Sequence, residues 1–428
     1  MVNGPAGLTE GRNNITLHFV SSVNLLTWLP GTIRNTGMEK ATRQHTKDHN
    51  TRLVLNTIYG GEVSRADVAR RTGLTRPTVS AIVAELLQDN LVIETGQGPS
   101  AGGKRPTLLS INGDGRHLIA IDLSGDEFRA ARLNLKGEIE ARATQTAAGV
   151  HGDDVLTIVY ELIESLCPAS DDMLGIGVAT PGLVDPHNGI VRRAVNLGWI
   201  NLPLRDLLGS RFGRPVYIAN DSHMAALAEY TYGTVPGGDN LIVIRGGRGI
   251  GAGIILNGLP FYGDGFGAGE IGHVVVNSGG ALCTCGNRGC LETTSSVRSI
   301  LQRLATSDRS QSLLAGDARP SWSRFVAAVE AHDPVAVEIA VDAGRYLGAA
   351  AAGLVSSLNI QTIVLAGRIT ELNGVLLDAM IAEMHQRVLP SMAEATTVRF
   401  SSIDPRRAAD IITLGCSALL LQRELGVI

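Results

Sequence analysis

The sequence predicts an α/β protein of two lobes preceded by a small winged helix-turn-helix domain. Three observations predict it. With 428 residues and 44% hydrophobic content, the chain is too long for one ordinary core and rich enough to fill two or three. Between Ser64 and Leu87, two helical patterns flank a tight turn containing Gly73. From Asn112 onward, strand and helix signals alternate.

Residues 1–37 show no clear period and are expected to be a disordered extension, with Met38 a candidate native start. The small domain is expected over residues 38–112. Leu53, Val54, Ile58 and Tyr59 recur at helical spacing until Gly60-Gly61 ends the run. Ser64, with Asp67 three positions on, reads as a capped start, and the short helix through Arg71 turns Val68 inward. Thr72 to Thr75 forms the turn, and Thr75 caps a third helix with Val79, Ile82, Val83, Leu86 and Leu87 on one face. Leu91 to Glu94 and Thr107 to Ile111 are two strands flanking the basic, glycine-rich loop Gly96 to Pro106, which makes a wing.

In such a domain the second helix of the pair lies in the major groove of DNA. The residues at its start are Thr75, Arg76, Pro77, Thr78 and Ser80. Arg76 either grips guanine with both arms or pairs with a phosphate. Arg65, with Arg70 and Arg71, is a candidate phosphate clamp, and Lys104 and Arg105 end the wing where it would meet a backbone or minor groove. An ordinary three-helix bundle with a solvated basic face would share the helices but has no use for the wing. Charge agrees with the DNA reading: from Met38 to Asn112 ten Lys/Arg face seven Asp/Glu, although the whole chain carries −4.

Residues 113–428 are expected to form the α/β body. Strands are predicted at Leu118–Leu123, Ala130–Asn134, Leu174–Val178, Val216–Ala219, Leu241–Arg245, Gly253–Leu256 and Thr362–Leu365. Helices are predicted near Asp154–Leu166, Ala225–Tyr230, Val335–Leu354 and Ala408–Leu425. The chain has no apolar run of membrane-spanning length and no secretory leader pattern, so a cytoplasmic protein without a membrane partner is expected.

His273, Cys283, Cys285 and Cys290 form the ligand set of a closed tetrahedral Zn2+ site. Unligated core thiols are the alternative. Cys167 and Cys416 are left over, too few for a disulfide framework, and fit a reducing compartment. Glu270 and Glu292 are interleaved with the metal candidates, while Asn220-Asp221 sits between a strand and a helix. Carboxylates and amides of this kind match the paired hydroxyls of a sugar.

Gly-Ala-Gly-Glu-Ile-Gly-His at 267–273, followed by Cys-x-Cys-Gly-x-x-Gly-Cys-Leu-Glu at 283–292, closely resembles the signature of the ROK family of sugar-responsive repressors and sugar kinases. The resemblance implies a duplicated ribonuclease-H-like fold, shared with actin and hexokinase, with sugar held between the lobes. It further implies that Asn220, Asp221, Glu270, His273 and Glu292 bind the sugar, with Gly182 and Asn196 at the cleft wall and Asp221 matching the general base of the kinases. The wing resembles that of ROK repressors, whose Gly-Gly-Arg-Pro is here Gly-Gly-Lys-Arg-Pro.

The kinase loops depart from the family pattern. Asp-x-Gly-Gly-Thr is replaced by Asp122-Leu123-Ser124-Gly125-Asp126, Gly-Thr-Gly-x-Gly by Gly247-Arg248-Gly249-Ile250-Gly251, and the paired glycines near the adenine site by Ala366-Gly367-Arg368. A carboxylate at Asp126 would repel phosphate, although Arg248 would attract it. The expectation is a non-enzymatic, sugar-responsive regulator whose expected partners are double-stranded operator DNA, a sugar or sugar phosphate, and further copies of itself in a homodimer or homotetramer. An ATP-dependent sugar kinase is the alternative.

Overall fold

The computed structural model describes residues 43–99, 105–167, 172–234, 238–310, 312–316 and 320–428. The 1–37 extension and Lys104 lie outside the described residues.

The winged helix comprises α1 (Arg43–Tyr59), β1 (Val63–Ser64), α2 (Arg65–Thr72), α3 (Arg76–Gln88), β2 (Val92–Gln97) and β3 (Thr107–Ile111). The helix starts are set locally: Ser64 and Asp67 close a reciprocal capping box on α2, and the Thr75 hydroxyl accepts the Thr78 N–H at the start of α3. An antiparallel β1-β3-β2 sheet covers the helices. Val54, Ile58, Val68, Val79, Val83 and Leu109 meet in the core between them.

The first lobe contains β4 (His117–Asp122), β5 (Glu127–Asn134), β6 (Ile139–Thr146), α4 (Asp153–Leu166) and β7 (Met173–Thr180). It continues through the short strands β8 (Leu183–Asp185), β9 (Ile190–Ala194) and β10 (Trp199–Leu202), then α5 (Leu204–Phe212), β11 (Val216–Asn220) and α6 (Asp221–Tyr232). The second lobe contains β12 (Leu241–Gly246), β13 (Ile250–Leu256), β14 (Leu259–Pro260), α7 (Glu292–Ser295), α8 (Val297–Thr306), α9 (Trp322–Glu330) and α10 (Pro334–Leu358). After these come β15 (Thr362–Ala366), α11 (Asn373–His385), α12 (Pro390–Ala395), β16 (Thr397–Phe400) and α13 (Ile411–Leu420).

Each lobe is built on a five-stranded sheet, and the two sheets share one plan. Their orders are β6-β5-β4-β7-β11 and β14-β13-β12-β15-β16. In both, three antiparallel strands lead into two parallel ones on the other side of the first strand. The central strands are continuously buried because helices cover both faces, as parallel pairing requires. This is the duplicated α/β fold expected from the sequence.

The lobes exchange helices. α6 leaves the end of the first sheet but packs on β12 and β13 of the second, while α13 leaves the second sheet and packs on β4 and β7 of the first. The two helices also pack on each other. Their crossing is close enough that a Cβ at Gly415 would stand 1.8 Å from the Met224 carbonyl oxygen. The core around this crossing runs without a break into the winged helix, where Leu421 and Val427 share a cluster with Val54 and Leu55. At the end of the winged helix, Asn112 donates to both the backbone and the side-chain oxygen of Asn90, at 3.0 and 2.8 Å.

Gly415→Val should force α6 and α13 apart. We expect a loss of about 1–3 kcal/mol in urea unfolding, the usual cost of overpacking.

Candidate functional site

Asn220 ends β11 and caps α6. Its side-chain oxygen accepts the N–H groups of Ser222 (2.8 Å) and His223 (3.3 Å), and its amide donates to the Gly182 carbonyl at 3.0 Å. The next side chain, Asp221, is buried beneath the cleft between the lobes. One of its oxygens accepts the Ser222 N–H at 2.9 Å, and the other accepts Arg245 of β12, also at 2.9 Å. Burial lifts the Asp221 carboxyl above its ordinary pKa, Arg245 pulls it back, and Asp122 raises it again. The other arm of Arg245 reaches Ser124 at 2.9 Å, so one guanidinium ties β12 to both α6 and the loop after β4.

The opposite wall is the segment from Phe261 to His273. His223, in the first turn of α6, donates from Nε2 to the Ala268 carbonyl at 3.0 Å, fixing this segment to the helix that carries Asp221. Burial pushes the imidazole down to about 4, so it stays neutral near pH 7. Two residues beyond Ala268, Glu270 lies close enough to Asp221 and Glu292 for their charges to add to burial in raising its pKa, opposed by His273. Three carboxylates therefore converge.

His273 faces two ways. Its Nδ1 lies 3.6 Å from Cys283 Sγ, and its Nε2 lies 3.9 Å from a Glu270 oxygen. Cys285 and Cys290 Sγ are 3.7 Å apart, and the four candidate ligand atoms of His273, Cys283, Cys285 and Cys290 all lie within 4.8 Å of one another. These spacings fit a four-coordinate metal ion. The loop closes tightly enough that only glycine fits at 289, where the backbone is left-handed and a Cβ would fall 1.5 Å from the Asn277 oxygen. Glu292 follows Cys290 by two residues, and its carboxylate accepts the Ile250 N–H at 3.4 Å.

The expected sugar residues do not all meet. Asn220, Asp221, Glu270, His273 and Glu292 gather around the cleft, and Gly182 joins them through its carbonyl. Asn196 is exposed on the turn Val195–Leu197 and makes no hydrogen bond to the others. Sequence reasoning missed Arg245 and His223. His223 stands two places after Asp221, which was a usable signal, whereas Arg245 had none beyond being a charge in a buried strand. Arg248 and Asp126, on the two glycine-containing loops, form an ion pair across the cleft.

At the DNA-binding end, Thr75, Arg76, Pro77 and Ser80 are exposed at the start of α3, and Thr78 is half-buried. The Thr75 and Thr78 hydroxyls bond to each other at 2.8 Å, so both serve the cap. Arg105 is exposed, while Arg65 is tied to Glu94 of β2 at 2.9 Å and steadies the wing.

Together these features define a class of protein, a winged-helix DNA-binding domain on an actin-like body with a polar cleft. The ROK family pattern matches residues 118–422 and the MarR family pattern residues 50–105. The chain belongs to the ROK family. It is 28% identical over 396 residues to a xylose repressor of Bacillus spizizenii, covering 91% of this chain and all of that one. It is 30% identical over 370 residues to the transcriptional dual regulator NagC of Escherichia coli, covering 84% and 90% of the two chains. Among solved structures, a ROK transcriptional regulator described as a homolog of E. coli MLC superposes with a TM-score of 0.76 at 28% identity, covering 89% of this chain and all of that one.

Arg245→Met should leave Asp221 buried without its counter-charge. Because a raised carboxyl pKa means the folded state holds a proton the unfolded state has lost, stability falls as pH rises. Denaturation at several pH values should therefore show a deficit that widens from about pH 4 to 7, and Asp221→Asn in the same chain should recover most of it.

Proposed function

We propose that this protein is a sugar-responsive transcriptional repressor in which the cleft senses a sugar and the winged helix binds operator DNA. The single observation that carries the reading is α6. Its first turn holds Asn220 and Asp221, and its last residue, Tyr232, meets Tyr59 of the winged helix. Twelve helical residues form a rod of about 18 Å between sensor and reader. The names of the relatives support the same division of labour, and xylose and N-acetylglucosamine are the first sugars to test.

In this reading Asp221, Asn220, Glu270, His273 and Glu292 take the sugar hydroxyls, with Gly182 at the wall. Asn196 reaches the ligand only if its turn moves. Arg76, Pro77 and Ser80 meet base edges or phosphates, with Arg105 and Lys104 on the wing. Two-fold pairing of the chain in a homodimer, or twice over in a homotetramer, matches a pseudo-palindromic operator. The protein works on this DNA in the cytoplasm.

The metal is Zn2+ in a structural role. Three thiolates and an imidazole would fill its four positions and leave no open site, and the 3.6 Å His273–Cys283 and 3.7 Å Cys285–Cys290 spacings suit such an ion. His273 would hold zinc through Nδ1 while Nε2 orients Glu270, as outer partners of metal-bound histidines do.

Sensing is favoured over phosphoryl transfer by the charges in the cleft. Asp221, the position of the kinase base, is already engaged by Arg245, and Asp126 with Arg248 fills the loops that cradle phosphate in kinases. Rapid sugar-dependent ATP turnover would overturn the sensor reading.

Calorimetry against xylose, N-acetylglucosamine and their phosphates, with operator binding followed alongside, tests the whole proposal. A matching sugar should shift operator affinity by about 1–3 kcal/mol, the usual size of such coupling. Asp221→Asn should abolish that shift. Arg76→Ala should weaken operator binding by about 1–3 kcal/mol and leave sugar affinity intact. Elemental analysis should find about one zinc per chain, lost in Cys290→Ser along with at least about tenfold in sugar affinity.

A further inference from the structure

We propose that a cavity between the winged helix and the outer end of α6 is a second small-molecule site, suited to a zwitterion of the amino-acid or short-peptide class. The cavity has a volume of about 750 Å³, within the range that bound small molecules occupy. Three parts of the fold meet there: Tyr59 and Glu62 come from the winged helix, Lys136 from the β5–β6 turn, and Tyr230 and Tyr232 from α6.

Charge selects the ligand class. Arg399 and Glu229 also line the cavity, but they neutralise each other at 2.8 Å, and the Glu229 carboxylate is completed by Ser401 and Ser402. Glu62 and Lys136 are opposite charges on different parts of the fold, and neither makes an ion pair among the described residues. A simple anion would satisfy Lys136 and face repulsion from Glu62, and a simple cation the reverse. A molecule carrying both charges satisfies both, and tyrosine rings supply apolar faces for its body.

An occupant would touch the winged helix, the first lobe and the end of α6 at once. The Tyr232 hydroxyl there bonds to Ser417 of α13 at 2.9 Å, so the cavity adjoins the crossing of the two exchanged helices. Its ligand would therefore adjust how strongly the cleft acts on the DNA reader. That consequence rests on the sugar-response reading, whereas the site itself does not.

Calorimetry of the full chain against the common amino acids and a set of dipeptides provides the test. We expect at least one to bind, with affinity reduced about fivefold or more by Lys136→Glu and likewise by Glu62→Lys. The chain carrying both reversals should regain part of the loss, while Asp221→Asn should bind as the parent does. Both reversed positions are exposed, so the fold should tolerate them. Absence of any amino-acid or dipeptide binding, binding indifferent to both reversals, or binding lost with Asp221→Asn would overturn the proposal. Zwitterion binding in a chain that ignores every sugar would leave this site standing and remove the sugar-response reading.

Discussion

The close crossing of α6 and α13 is the constraint on which the rest of the structure depends. Each helix belongs by sequence to one lobe and by packing to the other, so neither sheet can turn without moving a helix seated in its partner. Gly415 lets the backbones meet where any side chain would hold them apart. A close-packed interior transmits such a displacement instead of absorbing it. The winged helix joins the same apolar cluster, so motion at the crossing reaches the DNA-binding end through contact, without a flexible tether.

Charge decides what the cleft does with a ligand. The Arg245 guanidinium lies between Asp221 and Ser124, joining the second lobe to two points on the first. A base that removes a proton must be free to accept it at the moment of reaction, and here one oxygen of Asp221 already accepts the Arg245 guanidinium at 2.9 Å. The same arrangement suits recognition, because a hydroxyl-bearing ligand that enters must reorganise an interaction that crosses the cleft. In the sugar-response reading, ligand entry and lobe position would thereby be linked.

Much of this was legible in the sequence wherever the signal was short in range. Ser64 with Asp67 and Thr75 with Thr78 fixed the starts of α2 and α3 because a cap is made within one helical turn. The metal candidates were equally clear, being packed into eighteen residues from His273 to Cys290. β6 leaves little trace in the sequence because Ile139, Ala141 and Ala143 alternate with Glu140, Arg142 and Thr144, a weak apolar signal suited to a sheet edge. The last helix was expected to be continuous from Ala408, but a tight 3-10 turn over Pro405–Asp410 precedes it and a wider π turn over Leu421–Leu425 follows it. Arg245 could not be assigned a role because its partners are 24 and 121 residues away in the chain.

The two walls of the cleft are held by different means, and that difference bears on how a signal would arise. On the second lobe, His273 lies between the cysteine cluster and Glu270, the backbone runs from Cys290 through fully buried Leu291 to Glu292, and Ser295 then bonds to the Ala343 carbonyl of α10 at 3.0 Å. This wall is braced by covalent sequence, core packing and a long helix together. On the first lobe, Asn220 and Asp221 sit at the tip of α6, whose far end lies against the winged helix. A ligand that draws the two walls together therefore has little room to deform the braced one. Both walls meet at α6, whose His223 holds the segment from Phe261 to His273 and whose last residue touches Tyr59, so in the sugar-response reading a ligand bridging the walls would act on that helix.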